Sequence, residues 1–250
     1  MNIGILYILP FLAFFIGCKN DSNLKIEEER KLIIQAGSGD KGLEDFKYYS
    51  DSTYTFYLKS IEFNYEKVEK FRGSCHLKND TLYFTPFEFK PTKSEKAILK
   101  NNFIEFIGKY SSYRLEIKKN NTNIKSKLNF KKIKDLAVFT YYTESEKSNC
   151  KPYDLNQSEL EKANKILEKC FEENKSKLRN STEYVKQCIA VKNANNEIEV
   201  WITCYCKNSF NKNGYKFYLI EMNDGGNCKI SIKINITKET YSSLEIAGLA

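Results

Sequence analysis

Residues 156–174 read NQSELEKANKILEKCFEEN. Asn156 suits a helix N-cap, because its short side chain can accept from a first-turn amide, and Glu159 three residues on completes a capping box. Leu155 and Leu160 flank the cap as a hydrophobic staple. Leu160, Ala163, Leu167, Cys170 and Phe171 recur at helical spacing with charges opposite. The pattern predicts an amphipathic helix over about 157–174 with one apolar stripe to bury. Downstream, 184–191, 197–206, 216–222, 228–236 and 241–246 read as strands, with turns at 193–196 and 224–227. Ile198, Val200, Ile202, Cys204 and Cys206 share one strand face by period two, as do Cys228, Ile230, Ile232, Ile234 and Ile236. Both apolar faces are expected against the helix stripe.

Upstream, 45–150 holds no helical pattern of this kind. Residues 53–58 are rich in β-formers, Lys78-Asn79-Asp80 reads as a turn before a strand over 81–84, and 113–118 alternates apolar with polar. Ala97–Lys100 and Phe103–Phe106 flank Asn101-Asn102, a hairpin signal because Asn tolerates the left-handed turn conformation. The fold class expected is therefore α+β: a β-rich meander or small barrel, then a helix packed on an antiparallel sheet.

The amino terminus has a different character. Residues 3–17 are apolar throughout and end at Cys18, after which the chain turns abruptly polar. Fifteen apolar residues broken by Pro10 are short for a membrane span, which needs about 20. They fit the apolar region of a secretory signal. Phe15-Ile16-Gly17-Cys18 resembles a bacterial lipoprotein signal, in which a small residue precedes the cysteine that is acylated. It departs from that pattern at Phe15 and in lacking an early Lys or Arg. The expected organisation is a signal peptide over 1–17, a lipidated polar tether over 18–44, a β-rich domain over 45–150 and a helix-plus-sheet domain over 151–250. The resemblance implies a membrane partner reached through lipid on Cys18 and an outer-membrane location, on the periplasmic face or the cell surface.

Further residues carry a second resemblance. Residues 199–206, Asp224-Gly225-Gly226-Asn227-Cys228, 233–237 and the terminal Gly248-Leu249-Ala250 resemble a group of Bacteroidota envelope lipoproteins, as do 135–140 and 151–155. That group has no established activity, so it implies a location rather than a reaction. The helix-then-sheet order looks cystatin-like. The inhibitor loop of cystatins is missing, since Gln187-Cys188-Ile189-Ala190-Val191 lacks its glycine.

Composition narrows the chemistry. Lys+Arg 40 against Asp+Glu 32 gives +8, but only Arg30, Arg72, Arg114 and Arg179 are arginines, which disfavours a nucleic-acid reader. The basic stretch 118–134 lacks interleaved aromatics and reads as a solvated loop. His76 is the single histidine, and its neighbour Cys75 points to the other face of any strand. Cys204-Tyr205-Cys206 lacks zinc spacing, and 224–227 has too few carboxylates for calcium. No cofactor and no metal are expected. Glu62, Glu88, Glu105 and Glu116 leave a carboxylate hydrolase, such as a glycosidase, as the alternative to a non-catalytic binding or protective module of the immunity or inhibitor type. Seven cysteines remain after Cys18, an odd number for an oxidising compartment. If 197–206 and 228–236 are antiparallel neighbours, Cys206 meets Cys228, and a bridge can form. Cys170 is the next candidate partner.

Overall fold

The computed structural model describes residues 30–38, 44–62, 65–85, 95–108, 112–130, 133–142, 149–209 and 213–248. Lys31–Ala250 is one compact unit that holds every element below. Among the described residues it is mostly β, with an eight-stranded antiparallel barrel and one α-helix packed on a second sheet.

The barrel runs β1 (Leu32–Gly37), β2 (Glu44–Tyr49), β3 (Thr53–Glu62), β4 (Tyr65–Lys78), β5 (Thr81–Thr85), β6 (Lys96–Lys100), β7 (Phe103–Ile107) and β8 (Tyr113–Asn120), closed by β1 against β8. Its hairpin turns use left-handed asparagines: Asn79 at φ 58°, Asn101 at 50° and Asn102 at 68°. Two consecutive positive φ values give the tight turn whose twist matches the strands. Eight strands leave an interior just wide enough for side chains. Phe46, Tyr54, Phe56, Phe84 and Phe106 fill it, with Phe46 stacked on Tyr54 at 5.9 Å and Phe84 edge-on to Tyr54 at 5.3 Å. Gly73 makes room for this cluster, since a Cβ there would lie 2.8 Å from the Tyr54 ring.

Barrel pairing begins inside the segment expected as the polar tether. Ile34 and Ala36 of β1 are fully buried in the barrel interior. Strand formation wins because this short apolar run, next to the charged stretch 25–30, supplies the rung that closes the barrel. Cys18 lies outside the described residues.

The second sheet contains β9 (Leu136–Thr140), β10 (Lys151–Pro152), β11 (Tyr184–Lys192), β12 (Ile198–Cys206), β13 (Lys229–Asn235) and β14 (Thr240–Ile246). β11 to β14 form an antiparallel meander, but β9 pairs parallel to β11, so the sheet is mixed rather than antiparallel. The reason is the connection. The helix α1 (Gln157–Glu173) lies in the crossover between β9 and β11, and a parallel pair needs such a crossover. The sheet therefore starts at Leu136, ahead of the boundary expected at 150.

Both halves of the capping box form at α1: Glu159 N–H donates to Asn156 Oδ1 at 3.0 Å, and Asn156 N–H donates to Glu159 Oε2 at 2.8 Å. Leu160, Ala163, Ile166, Leu167, Cys170 and Phe171 are buried against Cys188, Val200, Ile202, Cys204, Ile230, Ile232 and Ile234 of the sheet. The expected strand over 216–222 is instead a turn of 3-10 helix (Gly214–Lys216) and an irregular loop. The side chain of Gln187 takes over part of the ladder's role there. Gln187 donates to the carbonyls of Tyr215 and Tyr218, both at 2.7 Å, and accepts from Ile220 N–H at 2.9 Å.

Barrel and sheet meet through a buried cation. Arg114 of β8 is 3% exposed, donates Nη1 to Val138 O at 2.6 Å and donates Nε to Lys216 O. Its guanidinium lies 4.1 Å from the Phe103 ring centroid and 3.8 Å from that of Phe139. Glu105 of β7 accepts from Thr140 N–H at 2.8 Å and from its hydroxyl at 3.0 Å. Val138 and Thr140 belong to β9, so barrel side chains occupy backbone groups of a sheet edge.

Candidate functional site

The period-two alternation of β12 and β13 gives the sheet two faces. One is the apolar face under α1. On the other, the cross-strand register sets Trp201 beside Lys233 and then Ser242, and Thr203 beside Ser231 and then Glu245. Part of this second face is covered: Ala137, Phe139, Val185 and Tyr205 are buried under Tyr215 and Ile220 of the irregular loop. Among the described residues, the part over β12 to β14 is open. It forms a shallow depression of about 230 Å³ lined by Trp201, Thr203, Ser231, Lys233, Ser243 and Glu245.

Trp201 is held from several sides. Its indole N–H donates to Glu199 Oε2 at 3.0 Å. The Tyr141 ring meets it at 87° with centroids 5.6 Å apart, and Lys233 Nζ stands 5.4 Å from its ring centroid. Glu199 is fixed in turn by Asn193 Nδ2 at 2.7 Å. Next to it, Lys238, Asn235 and Asn193 hold the Glu197 carboxyl below the usual carboxylate range. The register places Tyr141 on the β9 side of Trp201 and Lys233 on the β13 side, so the Lys233 side is the one that borders the depression.

A bulge shapes the far rim. Ser231 pairs with Glu245 and Lys233 with Ser242, leaving Ser243 and Leu244 opposite the single residue Ile232. Ser243 adopts φ 52°, the left-handed region that a side chain rarely enters. Bulges of this kind re-aim a side chain, and Ser243 lines the depression while Leu244 packs on the helix-side core.

The structure brings some sequence candidates together and disperses others. Cys206 and Cys228 form a disulfide with Cα atoms 4.8 Å apart. The register explains it, because Tyr205 pairs with Lys229 and the next rung falls on the two cysteines. Cys170 is a buried free thiol instead, pushed up to about 11 chiefly by burial. Burial likewise pushes Cys75, Cys188 and Cys204 up to about 12. Thiols held that high are poor nucleophiles near neutral pH. Cys75 faces the barrel interior, whereas His76 is exposed and stacks on Tyr83 at 5.0 Å. Among the described residues no cluster of three or more His, Cys, Asp or Glu suits a metal ion.

Among the described residues, the candidate carboxylates Glu105 and Glu116 differ in setting. Glu105 is buried and engaged by Thr140, Glu116 is exposed, and Glu88 and the Glu62 side chain lie outside the described residues. The turn expected at 224–227 is instead irregular chain at Asp224 and Gly225 running into a 3-10 helix over Gly226–Cys228, with Gly225 and Gly226 at φ 124° and 54°. Sequence reasoning passed over Trp201, although the alternation that puts Val200 and Ile202 inside puts Trp201 outside. A tryptophan on the polar face was the available signal. No protein-family model, curated protein or solved structure matches the chain.

Proposed function

We propose that this chain is a non-catalytic binding module of a bacterial envelope, held to the membrane by lipid on Cys18 and binding its ligand on the open face of the second sheet. The observation that supports it is the setting of Trp201. The chain's one tryptophan is partly exposed and fixed by Glu199 and Tyr141 at the border of a depression. An aromatic surface fixed in advance loses little freedom when a ligand docks, which favours binding. The anchoring half of the proposal rests on the apolar run that ends at Gly17-Cys18. Among the described residues no helix is long and apolar enough to cross a membrane.

Two measurements test the proposal. Cells fed labelled palmitate should incorporate it into the wild-type chain and not into Cys18→Ala. Equal labelling of both would overturn the anchor. Trp201 emission, recorded against neutral oligosaccharides, a polyanion and extended peptides, should shift saturably with one of these classes. Emission unmoved by all three would overturn the binding surface.

A further inference from the structure

The depression beside Trp201 has a definite chemical character. Its lining presents one cation, Lys233, and one anion, Glu245, so its formal charges balance. Three hydroxyls, of Thr203, Ser231 and Ser243, can each donate and accept. Trp201 adds an indole ring, and the rest of the lining is Ile202 and Ile232, which are buried in the core shared with α1. We infer that the depression takes a short neutral saccharide, one sugar ring lying on Trp201 with its hydroxyls engaged by Ser231, Ser243, Lys233 and Glu245. This rests on the binding reading above and names its ligand class.

Four observations favour a sugar over other occupants. A sugar ring has an apolar C–H face and a polar rim, and the site offers an aromatic surface beside mixed donors and acceptors, the usual division of labour in small-molecule sites. A polyanion would meet Glu245 as well as Lys233. An apolar ligand would strip water from three hydroxyls and two charges without replacing their hydrogen bonds. A peptide strand added to the edge at β14 would need an unbroken ladder, and the bulge at Ser243 interrupts it.

Access to the ring is cheap. Lys233 is exposed, and a lysine over an aromatic ring at an exposed site is only weakly held. A sugar ring can displace the ammonium and leave it at the rim as a donor. The Glu199 and Tyr141 contacts stay in place and keep the indole oriented. The left-handed Ser243 fits the same picture. A non-glycine residue there carries backbone strain, and such strain is characteristic of sites that need one side chain in one place.

The test uses the full chain in a detergent without a sugar headgroup. Cellohexaose, chitohexaose and maltohexaose serve as neutral probes, heparin as the polyanion, and an uncharged Val/Thr peptide as the strand. At least one neutral hexasaccharide should shift Trp201 emission saturably, with heparin and the peptide silent. Ser243→Gly relieves the left-handed backbone and removes the short hydroxymethyl side chain with its hydroxyl. It should melt at or above the wild-type temperature and bind that saccharide roughly 3- to 10-fold more weakly by calorimetry, the span expected for one lost hydrogen bond. Trp201→Ala should abolish the calorimetric signal. A response to heparin or the peptide alone overturns the saccharide and leaves the binding reading standing, whereas silence from all three classes overturns both. A Ser243→Gly variant that binds as tightly as wild type overturns the rim assignment.

Discussion

The barrel and the second sheet are both dominated by antiparallel hairpins, yet they dispose of their edges in opposite ways. The barrel closes β1 on β8 and has no edge strand, and aromatic rings fill its interior. The sheet keeps two edges and two faces. The β9 edge is covered by Arg114 and Glu105 from the barrel, and the β14 edge is broken by the Ser243 bulge. One face lies under α1, and the other is only half covered. Closure solves the edge problem by topology alone. An open sheet must solve it with individual polar side chains, and the surface it leaves uncovered is where the Trp201 depression lies.

The comparison breaks most visibly at Arg114. Replacing it with alanine frees the Val138 and Lys216 carbonyls, removes a cation from between two rings and strands Glu105 in a buried site. Burial lowers the Arg114 pKa, which stands at about 10 even with the opposing pull of Glu105. Arg114→Ala should therefore destabilise the chain by about 3–5 kcal/mol, as expected when one partner of a buried charged network is removed. Urea unfolding measures it. A loss under about 1 kcal/mol would mean that the β9 edge needs no cover from the barrel.

The disulfide sharpens the contrast next. The sheet is covalently stapled at Cys206–Cys228, across a sequence separation of 22, while the barrel's one cysteine among the described residues, Cys75, is a free thiol. The double change Cys206→Ser with Cys228→Ser should lower stability by roughly 3 kcal/mol, the size expected for a loop of this length. Hydrogen exchange should accelerate in β12 and β13 before it does in β2 and β3. Acceleration that starts in the barrel would contradict a staple acting on the sheet.

Most of the individual strands are readable from local pattern, and so is the helix with its cap. Asn101-Asn102 announces its hairpin, and Asn156 with Glu159 announces the helix start, because both signals act within a few residues. What stays hidden depends on distant partners. β1 is a strand because β8 closes the barrel on it. Residues 216–222 are a loop because Gln187 of β11, Arg114 of β8 and Tyr205 of β12, all distant in sequence, satisfy backbone groups there. β9 joins the sheet because a helix returns the chain beside it. The same holds for the site: the alternation puts Trp201 outward, but the Ser243 bulge exists only relative to Ile232 on the neighbouring strand.

A smaller effect tests the local end of this scale. Asn156→Ala removes the acceptor for the Glu159 amide and should cost about 1 kcal/mol, the usual value for a side-chain cap. Thermal unfolding should show a small loss, and Asn156→Asp should recover most of it. Equal losses in both variants would mean that the cap contributes nothing specific.

The smallest expected effect lies where barrel and sheet exchange charge at the surface. Lys100, the last residue of β6, pairs with Asp154 just ahead of the helix cap and also donates to Thr140 Oγ1 at 3.3 Å. Lys127 approaches the other Asp154 oxygen at 3.5 Å. Partial burial alone would raise the Asp154 pKa, but Lys100 and Lys127 overcome it and hold the carboxyl below its ordinary value. A carboxyl lowered in the folded state contributes stability above its unfolded pKa and loses it as pH falls through the folded one. The Asp154 side chain is 47% exposed, so the contribution is screened and should stay below about 1 kcal/mol. Asp154→Asn should thus be slightly less stable than wild type at pH 7, and the gap should close once pH drops below the carboxylate range. It should also shrink in about 1 M salt, where charges more than ~3 Å apart are screened. A gap that persists at low pH would assign the loss to packing at the helix cap, and the ion pair would then contribute nothing to joining barrel and sheet.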